Sequence, residues 1–187
     1  METLSDQQLV ALYFKGKRNA LEFLISRYIG PLYGFVFQFA KNSADAQDIT
    51  QETFIKVWRN LKKFDRKKSF KSWLYVIAKN TAIDFLRQKR HITLSGFNSA
   101  GDEASVFESI PDPAPLPPEI WDRQDLALEV DKILNQLPFN YKLVIIMHYI
   151  DQLTFQEISD ILNKPLNTVK SQHLRAISHL RAFFSKK

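Results

Sequence analysis

Apolar residues recur every three to four positions along most of the chain, a spacing that predicts a series of amphipathic helices. The first long segment, residues 20–39, is aromatic and aliphatic at helical spacing, with Pro31 as an expected kink. A second helix is expected to begin after Asn42, a residue suited to the N-cap, and to end near residue 61. A third is expected over about 70–90. The N-terminal half is therefore predicted to be all-α.

The second predicted helix has two distinct sides. At 100° per residue, one side can face a core and contains Ile49, Thr53, Val57 and Leu61. The opposite side contains Asp48, Glu52, Ile55 and Arg59. An apolar Ile55 among charges indicates a docking surface, although a singly exposed isoleucine is also common on any protein.

The segment 64–73 alternates aromatic residues with cations. Cations bind phosphates and aromatic faces stack on unpaired bases, so this composition is typical of single-strand binding. A solvated basic loop whose aromatics turn inward is the other interpretation, and Phe70 is expected to turn inward. The helix that follows presents Asn80, Asp84 and Arg87 on its far side.

The C-terminal part contains a further helical series. An amphipathic stripe from Leu126 to Leu137 is closed by Pro138, and an apolar helix is expected over about 141–150. Thr154 and Glu157 have the spacing of a capping box for the helix after them. A break at 163–166 precedes another helix that is expected to start near residue 167.

These last two helices are short and are joined by a three- or four-residue turn, which is the arrangement of a helix-turn-helix unit. The outer side of the second helix presents small polar side chains and cations: Asn167, Ser171, Arg175 and Ser178, flanked by Lys170 and Arg181. Such side chains suit base edges and phosphates. An ordinary helical hairpin packed in a bundle remains the alternative.

Charge divides the chain into three parts. Residues 1–90 carry 17 Lys/Arg and 8 Asp/Glu, residues 91–122 carry no Lys or Arg and 6 acids, and residues 123–187 carry 9 and 6. Five of the eight prolines lie between Pro111 and Pro118, where they block helix and sheet. We expect two small helical domains, 1–92 and 123–187, joined by an acidic, proline-rich linker at 93–122.

Composition narrows the function classes. The chain has no cysteine, which excludes disulfides and thiolate sites and fits a reducing compartment. No signal or membrane span is recognisable, so we expect a cytoplasmic protein without membrane insertion. His173 and His179 fall on different helical faces, and His91 and His148 are isolated along the chain. No acid/base cluster, metal site or phosphate-binding loop is evident, so neither an enzyme nor a cofactor is expected. An RNA-binding or nuclease-like enzyme is disfavoured for this reason.

The residues of both halves resemble a known family. Ser43 to Trp58 (SADAQDITQETFIKVW) and Ser69 to Asn80 (SFKSWLYVIAKN) resemble region 2 of bacterial sigma-70 family factors. Leu137-Pro138, the segment 153–158 (LTFQEI) and the segment 167–171 (NTVKS) resemble region 4. A chain with only these two regions is similar to the extracytoplasmic-function (ECF) group. The competing interpretation is a stand-alone helix-turn-helix transcriptional regulator.

The resemblance implies roles for particular residues. Region 2 would dock on the clamp helices of the polymerase β′ subunit through Asp48, Gln51, Glu52, Ile55 and Arg59. The −10 element of the promoter would be bound by Arg66, Lys67, Lys68, Ser69, Trp73, Asn80, Asp84 and Arg87. Region 4 would contact the β flap and read the −35 element through Asn167, Thr168, Lys170, Ser171 and Arg175. The implied partners are core RNA polymerase, promoter DNA and an anti-sigma factor, and the linker would occupy the RNA exit channel.

Some positions depart from the family pattern. Asn163 and Asn167 stand where glycines are usual at the bend, and asparagine tolerates left-handed backbone well enough to keep the turn. Gln172 and His173 replace a cation and an apolar residue, which affects the expected −35 preference. Gln47 replaces a common acid beside the docking row.

Overall fold

A computed structural model describes residues 4–94 and 132–184, with side chains at 4–89 and 132–183. These two ranges belong to separate compact units, and helices account for the regular structure in both. The predicted linker at 93–122 lies outside the described residues except for its first two residues, which end a helix. The all-α prediction is confirmed for the part of the chain that the structure describes.

The N-terminal unit contains four α-helices: α1 (Asp6–Phe14), α2 (Asn19–Ala40), α3 (Ser43–Asn60) and α4 (Phe70–Leu94). A 3-10 turn over Leu61–Lys63 follows α3. The predicted starts of α3 and α4 are confirmed, whereas α4 ends at Leu94 rather than near residue 90. Pro31 lies inside α2, which continues through it.

The core of this unit lies between α2, α3 and α4. The predicted inner side of α3 is confirmed, because Ile49, Thr53, Val57 and Leu61 are all at most 1% exposed. Aromatic rings fill the space between α2 and α4, with the centroids of Phe35 and Tyr75 4.8 Å apart. Burial of these apolar side chains is the main stabilising contribution to the bundle.

Polar contacts fix the ends of the helices. The side chain of Asn42 accepts a hydrogen bond from the backbone N–H of Asp45 and caps α3, as predicted. Nζ of Lys89, near the end of α4, lies 2.6 Å from Oδ2 of Asp45. Burial acts to raise the pKa of Asp45, but hydrogen bonds from Lys89 and Asn42 outweigh it and hold that pKa below its usual value. The start of α3 and the end of α4 are thereby tied together.

The C-terminal unit contains α5 (Phe139–Ile145), which continues as a π-helical turn over Ile146–Ile150, then α6 (Phe155–Leu162) and α7 (Leu166–Phe184). The predicted capping box is confirmed, because Thr154 and Glu157 exchange the two expected hydrogen bonds at the start of α6. The core is apolar and includes Leu134, Leu137, Ile145, Ile146 and Ala176. Helices α6 and α7 are joined by the three residues 163–165, as a helix-turn-helix requires.

Candidate docking and nucleic-acid interfaces

The outer side of α3 is a continuous exposed surface. Asp48, Gln51 and Arg59 are exposed, Glu52 is half-buried, and Ile55 is 41% exposed. Arg59 lies in the last turn of α3, where a cation complements the helix dipole. The five residues share one face, so the structure places the predicted docking row together.

Trp58 extends this face and was missed by the sequence interpretation. It lies three residues after Ile55, and its side chain is 59% exposed. Two large apolar side chains at this spacing are neighbours on a helix surface. Ile55 and Trp58 form an apolar pair at i, i+3 in the sequence. Because most aromatic side chains are buried in folded proteins, the sequence did not indicate that Trp58 is exposed. We call Asp48, Gln51, Glu52, Ile55, Trp58 and Arg59 the α3 docking face.

The basic loop between α3 and α4 is a defined turn. The backbone N–H of Lys68 donates to the carbonyl of Asp65 at 2.9 Å, and that of Lys67 donates to Oδ1 of Asp65 at 3.0 Å. The side chains of Lys67 and Lys68 are exposed. Ser69 instead accepts a hydrogen bond from the backbone N–H of Ser72, so its hydroxyl serves as a cap for α4.

The aromatic residues of the loop face inward. Phe64 and Phe70 are 6% and 2% exposed, and the two rings meet edge to face. Trp73 is half-buried and packs against Phe64 with the centroids 4.9 Å apart. The inward orientation expected for Phe70 is confirmed, and it extends to Phe64. Of the three, Trp73 alone retains substantial exposed surface.

Arg66 makes a contact that the sequence did not indicate. Its guanidinium carbon lies 4.4 Å from the centroid of the Phe14 ring, at the end of α1. This is the geometry of a cation–π interaction, which contributes about 0.5–1 kcal/mol at an exposed site. Helix α1 therefore braces the loop at Arg66, whereas the side chains of Lys67 and Lys68 are exposed on the turn.

The far side of α4 is exposed as predicted. Asn80, Asp84 and Arg87 all lie at the surface. Arg87 and Asp84 approach to 4.0 Å with side chains 71% and 55% exposed, a pair that contributes little to stability. Ile83, 39% exposed, lies beside this row and was not singled out from the sequence.

The outer side of α7 carries the predicted recognition residues. Asn167, Lys170 and Arg175 are exposed, while Thr168 and Ser171 are half-buried. The hydroxyl of Ser171 donates to the carbonyl of Thr168 at 2.9 Å, and it retains its lone pairs for another partner. The sequence of α7 contains no Asp or Glu, so this helix itself carries no charge that repels a phosphate backbone. We call Asn167, Thr168, Lys170, Ser171 and Arg175 the α7 recognition face.

The turn before α7 forms with asparagine, rather than glycine, at its left-handed position. Asn163 has φ 52° and ψ 48°, which is the left-handed conformation expected of it. Ser159 supports the turn by donating to the carbonyl of Lys164 at 2.6 Å. Asn167 needs no such conformation, since it lies inside α7, which begins one residue before the predicted start.

His148, which sequence spacing isolates, belongs to an aromatic cluster. Its ring stacks on Phe155 with centroids 4.4 Å apart and meets His173 edge-on at 5.5 Å. Nδ1 of His148 lies 2.9 Å from the carbonyl oxygen of Leu153, which can only accept, so Nδ1 carries the proton. The hydroxyl of Tyr149 lies 3.1 Å from Nε2 of His173. The description of His148 as isolated is therefore wrong in three dimensions, because α5, α6 and α7 bring these rings together.

The His173 pKa lies below its usual value because the ring is partly buried and because His148 is near. Within residues 4–94 and 132–184, no group of three His, Asp or Glu side chains has the arrangement of a metal site. None of the helices described is both long and apolar enough to span a membrane.

Comparison with known proteins matches each of the two units to a protein family. The family model of Sigma-70 region 2 matches residues 24–92, and that of Sigma-70, region 4 matches residues 127–180. The chain is 33% identical to the ECF RNA polymerase sigma factor SigW of Bacillus subtilis, over 89% of this chain and 90% of that protein. It is also 33% identical to the ECF RNA polymerase sigma-E factor of Escherichia coli K12, over 94% of this chain and 92% of that protein.

The fold agrees with these matches. The structure of the sigma factor RpoE from Bartonella quintana, solved with the anti-sigma factor NepR, superposes with a TM-score of 0.69 at 20% identity, covering 88% of this chain and 96% of that one. One family model matches each unit, and the relatives are similar to this chain over most of their length. The chain therefore belongs to the ECF group of sigma-70 family RNA polymerase sigma factors.

Proposed function

We propose that this sigma factor docks on core RNA polymerase through the α3 docking face and selects promoters through the basic loop, α4 and the α7 recognition face. Catalysis belongs to the polymerase, and the chain supplies the choice of promoter. The observation that carries the proposal is the separation of two kinds of exposed surface, an apolar pair with charged ends on α3 and an acid-free polar row on α7.

The α3 docking face has the composition of a protein interface. Ile55 and Trp58 provide an apolar centre, and charged side chains surround it, as in interfaces whose central contacts exclude water. We expect the clamp helices of the β′ subunit to cover this centre. Residues Asp48, Gln51, Glu52 and Arg59 would form the polar rim.

The −10 element would be opened by the loop and α4 together. Lys67 and Lys68 would bind phosphates, and the exposed part of Trp73 would support an extruded base. Unstacking a base costs a few kcal/mol, and stacking on an aromatic ring returns roughly 1–3 kcal/mol per base. Asn80, Asp84 and Arg87 would line the path of the separated strand, Ser69 would keep the start of α4 in place, and Arg66 would hold the loop on α1.

The −35 element would be read as duplex DNA by α7, with Lys170 and Arg175 on phosphates or guanine edges and Asn167, Thr168 and Ser171 on base edges. The same unit would contact the β flap. The linker at 93–122, with its six acids and no Lys or Arg, would occupy the RNA exit channel. The protein would work in the cytoplasm, where the polymerase is.

An anti-sigma factor is the proposed regulatory partner. Support comes from the RpoE structure, which is a complex with the anti-sigma factor NepR. The stand-alone helix-turn-helix regulator has no comparable support, because the matches extend over the region 2 unit as well as region 4.

Reconstituted transcription tests the proposal. The purified chain is mixed with core polymerase and a library of promoter templates, and run-off transcripts that depend on the chain are sequenced. We expect transcripts that share −10 and −35 elements. Absence of binding to core would contradict the proposal, and tight duplex binding without core would favour the stand-alone regulator.

A further inference from the structure

We propose that Leu174 reads the C5-methyl group of a thymine in the −35 element and so helps to set the promoter preference of this chain. The inference rests on the proposed function of the α7 recognition face. It adds a residue whose chemistry differs from that of the polar residues on that face, and it names the base feature that the residue recognises.

The first observation is exposure. The side chain of Leu174 is 68% exposed, more than any other large apolar side chain in the part of the chain that the structure describes. Leaving a leucine in water forgoes a burial free energy that most leucines gain on folding. A single exposed leucine is common on protein surfaces, so exposure alone does not indicate a binding role and the position of Leu174 must be considered.

The second observation is the position of Leu174 on α7. Leu174 follows Asn167 by seven residues, Lys170 by four and Ser171 by three. Residues at these spacings share one face of a helix. Leu174 therefore lies in the middle of the α7 recognition face, and a partner that contacts Lys170 and Ser171 also meets the leucine.

The third observation is what surrounds the leucine. Its neighbours one turn away are Lys170, Ser171, Ser178 and Ile177, and of these Ile177 packs against the core of the unit. Along α7 the side chains beside Leu174 are thus polar or cationic, and the exposed apolar side chains Tyr149 and Ile150 belong to the π-helical turn instead. A protein groove would engage a second apolar anchor on the same helix face. Among DNA base edges in the major groove, thymine alone presents an apolar group, its methyl. A single leucine between small polar side chains matches that group in size and polarity.

The size of the effect follows from the contact. Burial of one methyl or methylene group contributes about 0.8 kcal/mol, which corresponds to a change of about fourfold in affinity. Leu174 should therefore tune preference for one base pair rather than determine whether the chain binds DNA.

Replacement of thymine by deoxyuridine removes only the methyl group and tests the inference. The −35 elements that the holoenzyme prefers are first selected from a randomised library. Each thymine of the selected element, on either strand, is then replaced singly by deoxyuridine, and holoenzyme binding is measured for the wild type and for Leu174→Ala. We expect the wild type to bind about fourfold more weakly at one replaced position and Leu174→Ala to bind both templates equally.

Ile150→Ala is the matched control, because Ile150 is 63% exposed in the same unit but lies outside α7. It should keep the fourfold dependence on the methyl group. The inference fails if the selected elements share no thymine, if no replacement weakens the wild type, or if Leu174→Ala keeps the dependence. It also fails if Leu174→Ala weakens binding to core polymerase, which would identify Leu174 as a protein contact.

A parallel variant separates this inference from the proposed function. Lys170→Ala combined with Arg175→Ala should weaken promoter binding on every template. If it does and the methyl group has no effect, only the role of Leu174 is refuted. If the double variant binds promoters as the wild type does, the α7 recognition face itself is refuted.

Discussion

The region 2 unit and the region 4 unit expose apolar residues in different ways. On α3, Ile55 and Trp58 lie one turn apart and form a continuous apolar centre with charges at both ends. On α7, Leu174 stands alone among small polar residues and cations. A paired apolar centre suits a protein partner, whereas an isolated methyl-sized contact in a cationic row suits DNA. The comparison therefore supports the proposal that the α3 docking face binds polymerase and the α7 recognition face binds the promoter.

The largest loss of binding is expected for a substitution on α3. Ile55→Glu would place a carboxylate at the centre of the α3 docking face, where it would lose its hydration without gaining a partner. Loss of an interface centre of this kind costs at least about 2 kcal/mol, so core affinity should fall by roughly thirtyfold or more. The core affinity is measured by titrating labelled chain with core polymerase.

Ile29→Glu is the control for this variant, because Ile29 is 51% exposed on α2, outside the docking face. It should bind core as the wild type does, and both variants should keep the helical circular-dichroism signal. Equal binding by Ile55→Glu and the wild type would refute the docking assignment.

The next effect concerns the cations of α7. Removing one phosphate contact lowers the slope of log affinity against log salt concentration by about 0.9. If Lys170 and Arg175 both contact phosphates, the Lys170→Ala and Arg175→Ala double variant should lower this slope by roughly 2 for holoenzyme on promoter DNA. A titration over salt concentration measures the slope. An unchanged slope would show that neither cation contacts a phosphate, and Lys132→Ala, an exposed cation outside α7, serves as the control.

A smaller effect is expected at the turn before α7. Asn163→Ala would place a residue without a compensating side-chain amide in a left-handed conformation, at a cost of about 1 kcal/mol. Amide hydrogen exchange in α6 and α7 should accelerate about fivefold in the full chain. Asn163→Gly should exchange nearly as the wild type does, and equal acceleration in both variants would show that the backbone conformation is not the cause.

The smallest effect concerns pH and is confined to region 4. Because the folded pKa of His173 lies below its unfolded value of about 6.5, the unfolded chain takes up a proton first as pH falls. Stability of this unit should therefore decline below about pH 6.5, and it should not change through this group above that pH. The titratable neighbours that face His173 are His148 and Tyr149.

An NMR titration of the His173 imidazole measures this shift directly. Replacement of His148 by Gln should move the pKa of His173 part of the way back toward 6.5, since burial remains. A pKa of His173 at or above 6.5 in the wild type would contradict the packing of His173 against His148, Tyr149 and Phe155.

Sequence periodicity predicted the parts of the fold that depend on local chemistry. The inner side of α3, the Asn42 cap and the Thr154 capping box all depend on residues within one or two turns of each other, and all are confirmed. Asn163 was predicted correctly for the same reason, because left-handed tolerance is a property of the residue itself.

Contacts between distant segments could not be predicted in this way. Arg66 meets Phe14 across 52 positions of sequence, and His148 meets His173 through the packing of three helices. A helical wheel places residues on faces but does not say which faces another element covers. Trp58 and Leu174 were overlooked for that reason, since only the packed structure shows that the described residues of their units leave them exposed.

The separation of the two faces is the central claim, and one measurement tests it most directly. Core affinity is determined side by side for Ile55→Glu and for the Lys170→Ala, Arg175→Ala double variant. We predict that the first loses core binding by roughly thirtyfold or more and that the second binds core as the wild type does but binds promoter DNA more weakly. Equal core affinity for both variants would contradict the assignment of α3 to polymerase and α7 to the promoter.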